Sequence, residues 1–262
     1  MDNERIQASE IVRLDYTKCN LTKQEDTLAH IVFVVIIAAV VFIYYRSVVI
    51  SAVFGVALAP YMKQEYRRKS IKKRQSRLRI QFKEFLGIIS IAISGGAGVS
   101  MENAVENSVV ELKKLYNERS DIIREIEIIV YDYNRGGKPM ADGFMELAER
   151  SGIDDIRSFA TVYSTINGQS SDFGYIIKNT HDIIKEKIEI TQEIETSISG
   201  AKSEAYTMLV MPLVVLLMMS SMGSGFMDTL FTTGTGRVVA TIGIAVLGVS
   251  YILATRSSDV EV

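Results

Sequence analysis

Four apolar stretches occur as two pairs, charged nowhere except at Arg237, the first residue of the fourth, and they leave this chain few ways to fold. The first pair fills residues 29–62, where His30–Tyr45 and Ser47–Met62 are separated only by Arg46. The second fills residues 205–254, where Ala205–Met222 and Arg237–Ala254 flank the loop Gly223–Gly236. A helix needs roughly 17–25 residues to cross a hydrocarbon layer about 30 Å thick, so each stretch sits near the short limit. The segment between the pairs is too charged to enter lipid. A soluble domain held to a membrane by both of its ends is the expected layout.

Composition agrees because the apolar residues, 48% of the chain, are concentrated in these blocks. Tyr44, Tyr45 and Tyr61 suit helix ends at a membrane interface, where aromatic rings are favoured. A secretory signal would start basic and end at a small-residue cleavage site. Residues 1–28 instead carry more acids than bases, and a second apolar block follows the first at once. Thr22-Lys23-Gln24-Glu25 fits a capping box that opens a helix just before the membrane.

Basic residues set the orientation. Between Lys63 and Arg79 stand Lys63, Arg67, Arg68, Lys69, Lys72, Lys73, Arg74, Arg77 and Arg79 against the single acid Glu65. Such a run beside a span is retained on the cytoplasmic side and can rest on anionic lipid. The expected organisation is therefore a cytoplasmic segment 1–28, a span pair 29–62 and a cytoplasmic domain 63–204. A second span pair 205–254 and a cytoplasmic tail 255–262 complete it. Both termini face the cytoplasm, and Arg256 agrees, whereas Arg237 at the outer end of the last span dissents. The lone Cys19 allows no internal disulfide. Nucleic-acid binding by the basic run is the weaker reading, since it directly adjoins a span.

The cytoplasmic segment shows no β alternation and reads as all-α. A first helix runs from the basic region through Phe82, Phe85, Ile88, Ile89 and Ile93 to Gly95-Gly96-Ala97-Gly98. Ser100 caps a second, Asp121–Tyr133 forms a third, and Gly136-Gly137 stops it. Pro139 opens a short fourth helix that ends at Ser151-Gly152. A fifth covers Asp154–Asn167, with Ile156, Phe159, Val162, Tyr163 and Ile166 inward. The sixth starts near Asp172 and meets no breaker before Pro212, inside the third apolar stretch. Ile176, Ile183, Ile190, Ile194, Ala201 and Ala205 recur along it as an apolar stripe. The first span pair reads as an anchor, whereas the sixth helix joins the domain to the third span.

No constellation for catalysis is found. Gly95-Gly96-Ala97-Gly98 lacks the spacing and the preceding strand of a phosphate-binding loop. His30 and His181 stand far from any second His or Cys, so neither suggests a metal. Glu146, Glu149, Asp154 and Asp155 are acidic neighbours without the pattern of a calcium loop. No cofactor is expected. Asp182, Glu186, Glu189 and Glu193 line one face of the sixth helix. They read either as a solvated face or as a docking surface for a basic partner, because complementary charge steers encounter. Gly55 and Ala59 form a small-residue pair that reads either as a surface for close helix approach and self-association or as a lipid-facing patch.

Gly98-Val99-Ser100-Met101 followed by Ala104 resembles the first turn motif of the type II secretion F domain family. The run Gly137-Lys138-Pro139-Met140-Ala141-Asp142-Gly143-Phe144 through Arg150 resembles the second. Gly168, Phe173 and a long helix into a Pro212-containing span resemble the third. The order of span pair, cytoplasmic six-helix bundle and span pair is similar to the Tad (Flp) pilus assembly platform proteins. The resemblance covers residues 78–254 and implies a non-enzymatic platform of the cytoplasmic membrane. Its implied partners are a hexameric secretion ATPase, pilin or pseudopilin subunits, membrane lipid, and a second platform protein or a further copy of itself. A small transporter or channel subunit with a cytoplasmic helical regulatory domain is the alternative. Spans without internal ionisable groups speak against it.

Overall fold

The computed structural model describes residues 13–18, 23–45, 47–95, 99–166, 173–221 and 233–257. Every regular element among them is an α-helix: α1 Lys23–Tyr45, α2 Val48–Gly95, α3 Met101–Leu115, α4 Asp121–Gly136, α5 Met140–Ser151, α6 Asp154–Ile166, α7 Phe173–Ser221 and α8 Gly234–Ser257. The chain divides into two compact units. One comprises residues 1–19 and 68–189, the other residues 20–67 and 190–262.

Local signals explain the helix ends of the first unit. The Ser100 hydroxyl accepts the Asn103 amide at 3.3 Å and so satisfies one of the open donors at the start of α3. Gly137 and Gly152 follow α4 and α5 with φ of +63° and +65°, the left-handed geometry that glycine adopts without a Cβ clash. Pro139 stands just before α5 as its cap residue. Gly96–Gly98, Asn167 and Gly168 lie outside the described residues, as do Cys19, Thr22 and Arg46.

The core of this unit draws on α2 through α7. Phe82, Phe85, Phe144 and Phe159 are fully buried. Their rings meet mostly edge-on, with centroids 5.1 Å apart for Phe144–Phe159 and 5.5 Å for Phe82–Phe159. That geometry places the positive edge of one ring on the negative face of the next. Ile156, Phe159 and Tyr163 point inward from α6 as expected, with Val162 half-buried.

The expected stripe on α7 is displaced. Ile177, Ile184 and Ile188 are the buried positions, whereas Ile183 and Ile190 are exposed. Isoleucines come in adjacent pairs here, 176–177 and 183–184, so both registers satisfy helical spacing. Packing against the neighbouring helices selected the second. A further difference concerns α2, which starts at Val48 and runs unbroken to Gly95. The apolar stretch 48–62 and the first helix of the domain are thus one element, so α7 is not alone in joining an apolar stretch to the charged unit.

In the second unit the apolar faces point outward. Two helices are long and apolar enough to cross a membrane, Gly174–Met219 within α7 and Gly234–Ala254 within α8, and almost none of their apolar stretch is buried in the protein. Thr27–Ile43 in α1 is a shorter apolar helix. Four full-length spans were expected; by length and composition the described residues supply two. At Gly55 a Cβ would lie 3.0 Å from the Val34 carbonyl oxygen and 3.3 Å from the Ala38 Cβ. The small pair Gly55–Ala59 is therefore used within the chain, letting α2 approach α1 closely. Tyr45 and Thr241 share a hydrogen bond between α1 and α8.

Candidate functional site

The expected docking residues Asp182, Glu186, Glu189 and Glu193 all stand exposed on α7. Asp182 meets the His181 ring at 3.0 Å, and Glu189 lies 3.8 Å from Lys185, one turn away. An exposed pair at the i,i+4 spacing of Lys185 and Glu189 contributes only about 0.3–0.5 kcal/mol. What this face offers is an accessible row of carboxylates.

The basic run divides by role. Arg68, Lys69, Lys73 and Arg77 are exposed on α2, as are Arg67 and Lys72, and Lys63 is half-buried. Arg74 and Arg79 instead turn toward the domain. Arg74 reaches Asp121 at 2.9 Å, and this bond holds the guanidinium charged by raising its pKa. Arg79 pairs with Asp155, which also receives Lys187 at 3.1 Å. These two arginines brace helices against each other and are not available to lipid.

Of the acidic neighbours Glu146, Glu149, Asp154 and Asp155, two are committed to ion pairs. Glu146 receives Lys138, Arg13 and Arg150, and Asp155 receives Arg79 and Lys187. Glu149 and Asp154 are exposed. Among the described residues no group of three or more His, Cys, Asp or Glu is arranged to hold a metal. His181 packs on α2, its Nε2 3.3 Å from where a Cβ on Gly87 would be. The His30 Nδ1 is buried without a hydrogen-bond partner.

The most elaborate arrangement was not foreseen from the sequence. Residues 13–18, expected to be part of a separate N-terminal segment, form a strap on the first unit. Tyr16 is fully buried, and its hydroxyl donates to Glu125 Oε1 at 2.9 Å. Glu125, itself fully buried on α4, is gripped by Arg150, whose Nη1 and Nη2 donate to Oε1 and Oε2 at 3.1 and 2.6 Å. The Arg74 guanidinium lies 4.6 Å above the Tyr16 ring centre, a cation–π placement. Backbone bonds complete the seat. The Tyr16 amide donates to the Arg150 carbonyl and Arg150 Nη1 donates to the Leu14 carbonyl, both at 2.9 Å. Arg13 forks between Glu146 at 2.6 Å and Asp132 at 2.7 Å.

Electrostatics follow from these contacts. Burial, reinforced by the charges of Glu125 and Asp121, pushes the Tyr16 hydroxyl well above its ordinary pKa, so it remains a donor. For Arg150 burial alone would favour deprotonation, but the hydrogen bond and charge of Glu125 outweigh it and raise the pKa. For Glu146 burial acts upward, yet Lys138, Arg13 and Arg150 together hold it below its usual value. Hydrogen bonds from Thr17 and Lys18 bring the exposed Asp15 down to about 2. Only Arg13, Tyr16 and their spacing could have hinted at the strap, and nothing local marks their partners.

Comparison with known protein families, characterised proteins and solved structures finds no match to this chain. The functional reading rests on its own residues.

Proposed function

We propose that this chain is a non-enzymatic platform of the cytoplasmic membrane, of the Tad pilus or type II secretion kind, that couples a cytoplasmic secretion ATPase to pilin assembly. One observation carries the reading. Helices α2 and α7, of 48 and 49 residues, each run without interruption from the charged, folded unit into an apolar stretch. A continuous helix between a folded unit and an apolar stretch is the connection a coupling protein requires, and each of these two carries one proline in its apolar part, Pro60 and Pro212.

The strap supports the topology. Residues 13–18 and 68–189 belong to one packed unit, so the chain between them crosses the membrane an even number of times or not at all. With α1 and the start of α2 as a span pair, residues 13–18 and the domain share a side. The exposed cations Arg68, Lys69, Lys73 and Arg77 favour the cytoplasmic side. The α7 and α8 pair then returns the C-terminus there. Pro212 sits inside α7 within its apolar part, where a membrane helix tolerates a bend.

The acidic row on α7 is the proposed ATPase contact. The protein in nanodiscs is titrated with a purified hexameric secretion ATPase. Reversing Glu186, Glu189 and Glu193 to lysine together should weaken binding by about tenfold or more, as loss of complementary charge does. Thermal stability should stay within about 0.5 kcal/mol, because all three are exposed. Undiminished affinity would remove the row from the interface, and no binding by the wild type would remove the platform reading.

A further inference from the structure

We propose that the cleft holding Arg13–Lys18 is a receptor for a turn-forming segment bearing arginine and, three residues later, tyrosine. The chain's own N-terminal strap is an exchangeable ligand that fills this receptor in cis. The seat is therefore a place where a second polypeptide with the same pair of side chains can dock. Exchange there is independent of the assembly role above.

The floor of the seat is complete without the strap. Arg150 pairs both oxygens of Glu125, Arg74 holds Asp121, and Lys138 holds Glu146 at 2.6 Å. Withdrawing the strap thus leaves no buried charge uncompensated, the circumstance that makes opening a buried pair so costly. The Tyr16 and Arg13 side chains carry most of the strap's attachment. The strap belongs to no helix or sheet, and two backbone-carbonyl hydrogen bonds tie it to Arg150. Opening of a segment outside regular secondary structure, ahead of global unfolding, is the local event the exchange requires.

The seat also discriminates. A purely structural anchor is served by phenylalanine or leucine, and a buried carboxylate beneath such a side chain would be wasted. Here Glu125 offers an acceptor to a phenol, and removing the hydroxyl forfeits a charge-assisted hydrogen bond. The paired carboxylates of Asp132 and Glu146 suit the fork of arginine better than the point charge of lysine. The ligand carries part of its own shape. Asp15 Oδ1 accepts the Thr17 amide at 3.0 Å, an Asx turn internal to the segment that a free peptide can form too.

The test uses full-length protein in nanodiscs, with the seat emptied by Arg13→Ala/Tyr16→Ala. The probe is a fluorescently labelled peptide of residues 11–18. Saturable binding to the emptied variant is expected, with wild type about tenfold weaker because its seat is filled in cis. Replacing the peptide's tyrosine by phenylalanine should cost about tenfold or more, the loss of a hydrogen bond to a charged group. No saturable binding to a variant that keeps wild-type circular dichroism would overturn the proposal, as would equal binding to both proteins. Hydrogen exchange on the wild type guards against a misfolded variant. The Tyr16 amide should exchange about tenfold or more faster than the Ile126 amide of α4, by local opening. Equal rates would make the strap an inseparable part of the core.

Discussion

The two units dispose of their apolar side chains in opposite ways. Between residues 68 and 189, phenylalanines and isoleucines converge on a common core, and the ion pairs of Glu125, Asp155 and Asp121 join helices around it. In the other unit large apolar side chains such as Val210, Val214, Leu217 and Val246 face outward. A helical protein can leave isolated apolar residues in water, but not continuous helix surfaces of this size. The contrast teaches that the same helix can change the character of its surface along its length. α2 and α7 are each amphipathic where they serve the core and apolar where they leave it.

Core truncation should separate the units most sharply. Phe159→Ala removes a ring in contact with Phe82, Phe85, Phe144 and Tyr163 and is expected to cost about 3–5 kcal/mol in chemical denaturation. Val214→Ala, on an outward face of α7, should change stability in the same detergent by under about 0.5 kcal/mol. Equal costs would erase the distinction.

Breaking the buried pair comes next. Arg150→Ala leaves Glu125 buried without its cation, and about 3–5 kcal/mol should be lost. A smaller penalty, about 1–2 kcal/mol, is expected for Gly152→Ala, which forces a Cβ into left-handed backbone. Urea denaturation of both variants, read by circular dichroism, checks the order, and a Gly152→Ala penalty above that of Arg150→Ala would reverse it.

The mildest effect concerns acid. The folded pKa of Asp15 is depressed, so its contribution is complete above the ordinary value of 3.8 and fades as pH falls through about 2. Glu146 shifts in the same direction. Protection of the Tyr16 amide, corrected for intrinsic exchange, should therefore decline below about pH 4 while the α4 amides hold. Constant protection down to pH 2 would mean that these carboxylates do not secure the strap.

Much of the helical order was legible because helix ends are written locally. Ser100, Gly137 and Gly152 act on backbone groups within a few residues, and their positions were read correctly. The acidic row on α7 was legible as an exposed face, since charge rarely enters a core unpaired. The register of α7 was not, because adjacent isoleucines satisfy both candidate stripes. The two roles within the basic run were hidden as well. Nothing near Arg74 or Arg79 announces Asp121 or Asp155, which lie 47 and 76 residues away.

By itself the sequence determined the all-helical class, most helix boundaries and the alternation of apolar and charged blocks, for these follow from backbone capping and from solvent preference along the chain. Tertiary structure alone decided that α2 is continuous, that α7 buries Ile177, Ile184 and Ile188, and that Tyr16 finds Glu125 across 109 residues. Those outcomes depend on which surfaces meet in space. A side chain's partner at that separation is chosen by the packing of every helix between them, and no local rule encodes it.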